Sequence, residues 1–405
     1  MHTDHGKPTH IRAPQSFRSL WPPDSYAQTG TQAINVYINV PGLVDRFIQK
    51  LPTELVSLLQ PHESFIDQTF EHGIQDASSE RSVLNWITPL VERCSGWLEN
   101  QGSAGQHPRT WRSYPNKFLK DTDGKRKFNC AIVSRSSDDS THTRDIIVPV
   151  ELKKTRAEAR DADLFLAKQA SKIFKSQPTR IYVVGLTLAG AIGSELFDIT
   201  ETKQNFSKFL ALISLFLSAN KHVLGFDSTF IDSEAQQVGT KIRRVQMMQI
   251  STTESGPQDF IIDRKIFRSS GICGRGTTCW QGICGHSWQP SDGKVEGDML
   301  CHVAEENLPH VARYHHHEDV QVAGQIVDLE SYVRAGIDFR SGEKIQLLVT
   351  DERVDRHKEP KEKLTNRIHR RLILKDVVQP ICEVDGPVEL LEALEGCMTR
   401  DIRPC

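Results

Sequence analysis

The sequence lacks what would carry it into or across a membrane. Its first residues, Met1-His-Thr-Asp-His-Gly-Lys-Pro8, contain no apolar core, so no secretory signal is expected there. The longest greasy run, Phe206 to Leu217, is interrupted by Lys208 and Ser214. At about 12 residues it falls short of the roughly 20 that span a bilayer, and it fits a buried helix instead. An excess of one charge is also missing: the formal net charge is -2 over 405 residues, which gives no electrostatic case for a nucleic-acid partner. The 9 cysteines, an odd number without a signal peptide, argue for reduced thiols in cytoplasm or nucleus.

What remains is an ordinary globular composition, 25% charged and 38% hydrophobic, long enough for two or three domains. Residues 1–35 are rich in Pro, Ser, Thr and His without periodicity, and read as a disordered leader. In 36–110, Val44, Phe47, Ile48, Leu51 and Leu55, then Leu84, Ile87, Leu90, Val91 and Trp97, fall at helical spacing and predict two amphipathic helices. Residues 111–225 change character. Cys130–Val133 and Asp145–Lys153 predict adjacent strands, followed by a helix from Ala157 to Phe174 and a buried strand from Arg180 to Leu188. Residues 226–258 are polar with few apolar anchors and are expected to hold a linker. From 259 to 405 come short apolar runs with turn signals, then a helix starting at Pro387. The predicted class is α+β, or mixed α/β. The dense charge of Asp351 to Asn366 predicts a surface loop able to dock a protein partner.

Two stretches carry candidate chemistry. Glu151 and Lys153, two apart on a predicted strand, project from one face. A strand-face ion pair is the plain account. The order of strand, turn, strand ending in Glu-Leu-Lys and helix carrying Gln169 also resembles the PD-(D/E)XK nuclease fold. That resemblance implies carboxylates holding Mg²⁺ and a lysine positioning water, with nucleic acid as substrate. The chain departs from it at Asn129, where the first acidic residue should stand.

The second stretch is Ser269-Ser-Gly-Ile-Cys-Gly-Arg-Gly-Thr-Thr-Cys-Trp280. Gly274 and Gly276 permit backbone amides to approach phosphate oxygens, although Cys279 stands where a third glycine would complete the usual loop, and a plain hairpin turn accounts for it equally. Ser287-Trp288, Glu296-Gly-Asp-Met-Leu300, Tyr314 to Val320, Ser331 to Asp338, Arg370-Arg371 and Glu389 to Leu394 follow in order. As an ordered set these resemble the fungal-type protein kinase family.

The resemblance implies ATP and Mg²⁺ as cofactors, a protein substrate or partner, and phosphorylation of Ser or Thr. It puts Gly274, Gly276 and Thr277 in the glycine loop and makes Glu296 the helix glutamate that pairs with a strand lysine. That lysine is missing: aligning Ser287-Trp288 places Gly285 at its position and His286 at the following Asp. Lys294 lies too near the helix to replace it. The connection between the two strands also looks shortened, which predicts a damaged hairpin. Asp401, in Thr399-Arg-Asp-Ile402, stands where a catalytic aspartate would fall, with only Ile402 to Cys405 after it. The expectation is a family member holding a truncated kinase domain and unable to transfer phosphate, either a fragment or a pseudokinase acting by interaction. Cys273, Cys279, Cys284 and His286 cluster, but their spacing matches no paired zinc knuckle. No metal site is expected.

Overall fold

The computed structural model describes residues 33–49, 66–70, 79–100, 109–113, 130–134, 142–153, 159–232, 236–268, 277–306, 311–348, 366–376 and 386–398, apart from short gaps within them. The chain opens with strand β1 (Ala33–Ile38) and helix α1 (Leu43–Gln49). Helix α2 (Glu80–Asn100) follows, with Val83, Ile87, Leu90, Val91, Cys94 and Leu98 buried along one stripe. The Ser79 hydroxyl starts it by accepting from the Ser82 amide at 3.0 Å.

Next come β2 (Arg109–Ser113), β3 (Cys130–Ser134), β4 (Ile146–Lys153), α3 (Ala159–Ser176), β5 (Leu186–Ala189), β6 (Ile192–Gly193), β7 (Leu196–Phe197) and α4 (Lys203–Ser218). Strands β2 to β7 form one sheet in chain order; β4 lies antiparallel to β3 and parallel to β5. The β4 to α3 to β5 crossover demands a strand covered on both faces, and the run Ile146-Ile-Val-Pro-Val-Glu-Leu152 is buried throughout. Helix α4 is apolar nearly all round and sits in the core with α2, as a buried helix. Its last carbonyls, which have no partner within the helix, are met by Arg109. The guanidinium donates to Phe216 O at 2.9 Å and to Ala219 O.

The second half holds β8 (Phe230–Asp232), β9 (Gln236–Val238), β10 (Lys241–Arg243), β11 (Gln246–Thr252), β12 (Gly256–Ile262), β13 (Arg264–Arg268), β14 (Thr278–Gln281) and β15 (Cys284–Pro290). Helix α5 (Glu296–Glu305) follows, then β16 (Tyr314–Asp319), β17 (Gln321–Val322), β18 (Gln325–Ile326), β19 (Glu343–Leu348), β20 (Arg367–Leu374) and α6 (Pro387–Met398). Five strands form a sheet in the order β13-β14-β15-β20-β16. One face packs on a smaller sheet, β12-β11-β8, through Met248, Ile250, Ile262, Trp280 and Ile373. Helix α5 lies on the other.

Several expectations need correction. Residues 33–38, assigned to the leader and the helical segment, form a strand paired with β19 from Ala33↔Leu348 to Ile38↔Glu343. A lone strand gives no sequence periodicity strong enough to reveal a partner more than 300 residues away. The stretch 226–258, expected as linker, supplies β8, β11 and part of β12. Alternation there is short, but Met248 and Ile250 on one strand and Phe230 on its neighbour suffice to cover the five-stranded sheet. The hairpin expected to be damaged is intact: β14 and β15 pair from Thr278↔His286 to Trp280↔Cys284. The strand expected from Arg180 begins only at Leu186.

Candidate functional site

The period-2 rule divides β15 into two rows. His286 and Trp288 share one face, where His286 meets Phe230 of the smaller sheet and Trp288 packs against Ile181, Val320 and Val327; Gly285, Ser287 and Gln289 share the face that carries α5. A Cβ added at Gly285 would lie 3.6 Å from Cys279 Sγ and from Thr278 O, which is ordinary contact. A side chain could therefore occupy the position where the kinase resemblance expects a lysine.

Glu296, at the first turn of α5, does reach this row. Its Oε2 accepts from the Gln289 amide at 3.4 Å, and the same amide donates to the Ser287 hydroxyl at 3.1 Å. A neutral amide thus stands against the carboxylate where the resemblance places a cation. Lys294 is exposed, two residues ahead of the helix. Cys279 borders the same face, its thiol pushed up by burial and then by Glu296. Thr277 immediately precedes β14; Gly274, Gly276 and Asp401 lie outside the described residues. The described residues thus do not fit an MgATP site of the protein-kinase type, which needs a charge-paired strand lysine.

Helix α5 itself is seated by close approach. A Cβ at Gly297 would fall on the His317 ring, so only glycine permits the helix to lie this near β16. The adjacent Asp298 carboxylate meets His317 Nε2 at 3.0 Å, and Tyr314 OH meets His317 Nδ1 at 2.7 Å. Of His315 to His317, His317 serves this helix contact and His316 lies 3.8 Å from Glu318. Among the described residues no group of three or more His, Cys, Asp or Glu could hold a metal ion. Of the cysteine and histidine cluster, Cys279 pairs with Gly285 and His286 with Thr278, so these two side chains leave opposite faces of the sheet; Cys273 lies outside the described residues.

In the first sheet, Glu151 and Lys153 share a face as expected, with Lys153 Nζ 3.3 Å from Glu151 Oε1. The fold adds a residue that the sequence did not point to: Glu80, at the start of α2, lies 4.0 Å from the same ammonium. Gln169, on the helix expected to carry it, donates from Nε2 to Glu151 Oε2 at 3.2 Å. Burial pushes the Glu151 carboxyl up, against the opposing pull of Lys153. The ammonium, between two carboxylates and 4.9 Å from the centre of the Phe165 ring, already holds the position that neutralises them. This is an ion-pair arrangement and not a cation cage, and the nuclease resemblance is not borne out. Asn129 lies outside the described residues.

Charged side chains tie the two sheets of the second half together, and tie β13 to the first half. Arg371 on β20 is 1% exposed; its guanidinium pairs with Glu318 and lies 3.5 Å from Asp227 Oδ2. It also donates to Thr229 Oγ1 at 2.6 Å and to Gln249 O at 3.2 Å. Lys265 and Arg268 on β13 donate to the Lys175 and Pro178 carbonyls at the end of α3, at 2.9 and 2.8 Å. Burial pulls Arg268 down to about 10.

The sequence profile of the family described as fungal protein kinase matches residues 127–400. No curated protein and no solved structure matches the chain. No helix among the described residues is long and apolar enough to cross a membrane.

Proposed function

The chain belongs to the fungal protein kinase family, and we propose that it is a non-phosphorylating member that works by binding a protein partner. The contact between Gln289 and Glu296 carries this reading. Phosphoryl transfer on this scaffold relies on a lysine that is held by the helix glutamate and neutralises phosphate charge. With Gly285 in the lysine's position, the glutamate, exposed on the first turn of α5, accepts from an amide that offers phosphate no cation. Positioned charge is the main resource of this chemistry, and its loss removes the stabilisation of the transferring group.

A thermal-shift titration with ATP and Mg²⁺, run beside a radiolabelled phosphotransfer assay on a generic protein substrate, tests it. Wild type should show no transfer and no shift that depends on Gly276, assessed with Gly276→Asp. Transfer abolished by Glu296→Gln or Gly276→Asp would overturn the reading.

A further inference from the structure

Two fully buried imidazoles touch in the second half of the chain and belong to nothing described so far. His286 on β15 and His369 on β20 lie diagonally across the pair of strands, with His286 Nδ1 2.5 Å from His369 Nε2. Trp280 stacks on His286 at a ring separation of 4.6 Å, and Trp288 stacks on His369 at 4.9 Å. Phe230, from β8, closes over both Trp280 and His286. The rings therefore sit where the five-stranded sheet meets the β12-β11-β8 sheet.

A neutral pair shares one N–H between the facing nitrogens. The two outer nitrogens, His286 Nε2 and His369 Nδ1, have no hydrogen-bond partner among the described residues. One of them must then be a bare acceptor, the atom that a proton would enter. The charged groups facing the pair oppose that step on balance. Arg371 of β20 and Arg268 of β13 repel a second positive charge, and Asp227, ahead of β8, is the one carboxylate acting on His369. Asp227 already answers Arg371, as does Glu318 of β16. An imidazolium here would be buried, short of acceptors and next to guanidinium charge, so the arrangement relieves itself by opening.

We propose that His286 and His369 form an acid-sensitive latch: protonation releases the β12-β11-β8 sheet from the five-stranded sheet. Burial pulls both rings down, His369 to about 4, in agreement with the geometry. For groups held neutral in the folded state, stability is complete above their free value near 6.5 and declines as pH falls below it.

Hydrogen exchange of the β11 amides in the full chain, followed between pH 8 and pH 4.5, reads the latch after correction for intrinsic exchange. In wild type the opening constant should rise below pH 6.5 with a slope approaching about a hundredfold per pH unit, the signature of two protons taken up. His286→Phe with His369→Leu should remove that slope. An opening constant merely offset to the same degree at every pH would show a packing role only and overturn the proposal. If the double variant does not fold, histidine ring NMR of wild type decides. Buried rings that titrate near 6.5 without opening refute the latch; rings silent until the sheet opens support it.

Discussion

Replacing Arg371 by methionine keeps most of the side chain's length while deleting the guanidinium, and its cost can be worked from the contacts. The change leaves Asp227, whose side chain is 1% exposed, and Glu318, at 15%, without their shared cation. Gln249 O and Thr229 Oγ1 each lose a donor. Asp227 keeps the bonds to its other oxygen from the Thr229 amide and hydroxyl, at 2.9 and 2.6 Å. Breaking a buried pair by removing one partner costs about 3–5 kcal/mol. Against a total stability of about 5–15 kcal/mol, this raises the unfolded fraction by about a hundredfold to several thousandfold. Urea unfolding followed by tryptophan fluorescence, in which Trp280 and Trp288 report on the same sheet, should show a lower midpoint with an unchanged slope. Adding Asp227→Asn should cost less than the two single changes summed. A deficit below about 1 kcal/mol at pH 8 would refute the reasoning, because both carboxylates would then be solvated and the seam between the sheets would not depend on charge.

Gly297→Ala improves helix propensity by up to about 1 kcal/mol, yet it should destabilise by about 1–3 kcal/mol, since the added methyl meets the His317 ring. A neutral or raised melting temperature would contradict the close seating of α5, and relief in a His317→Ala background would support it. Burial pushes the Cys94 thiol up to about 12, and burial followed by Glu151 and Glu80 raises Cys130. Both should resist pulsed iodoacetamide at pH 8 until the chain unfolds; mass spectrometry showing native-state labelling at the rate of a free thiol would refute their burial. Lys153→Met should raise the Glu151 carboxyl further, since the nearest opposing charge is removed. Because a raised carboxyl costs stability once it ionises, that variant's deficit should grow as pH rises above 5, and a deficit constant from pH 4 to 8 would count against the buried pair.

The sequence was readable where one rule acted alone. Helix α2 announces itself through Ile87, Leu90 and Val91 on one stripe, and β4 through an unbroken apolar run. Partnerships across the sheets were not readable. Glu80 reaches Lys153 only because α2 packs beside β4, and β1 finds β19 through backbone pairing that no side-chain pattern encodes. The Gln289 contact was accessible in principle. Counting by two from Gly285 places Ser287 and Gln289 on the α5 face, so the strand period alone offers Gln289 as the residue facing Glu296.

The linker expectation failed for a physical reason that bears on the whole chain. A polar stretch with few apolar anchors looks dispensable when each residue is judged against solvent. Residues 227–262 instead bury their few anchors against another sheet: Met248 and Ile250 against Trp280 and Ile373, and Asp227 against Arg371. The second seam, from β13 to the end of α3 and the turn after it, uses lysine and arginine to satisfy backbone carbonyls that would otherwise need water. Both seams fall inside the stretch matched by the family profile, 127–400, which covers all but the first strand of the α/β sheet as well as the kinase-related strands.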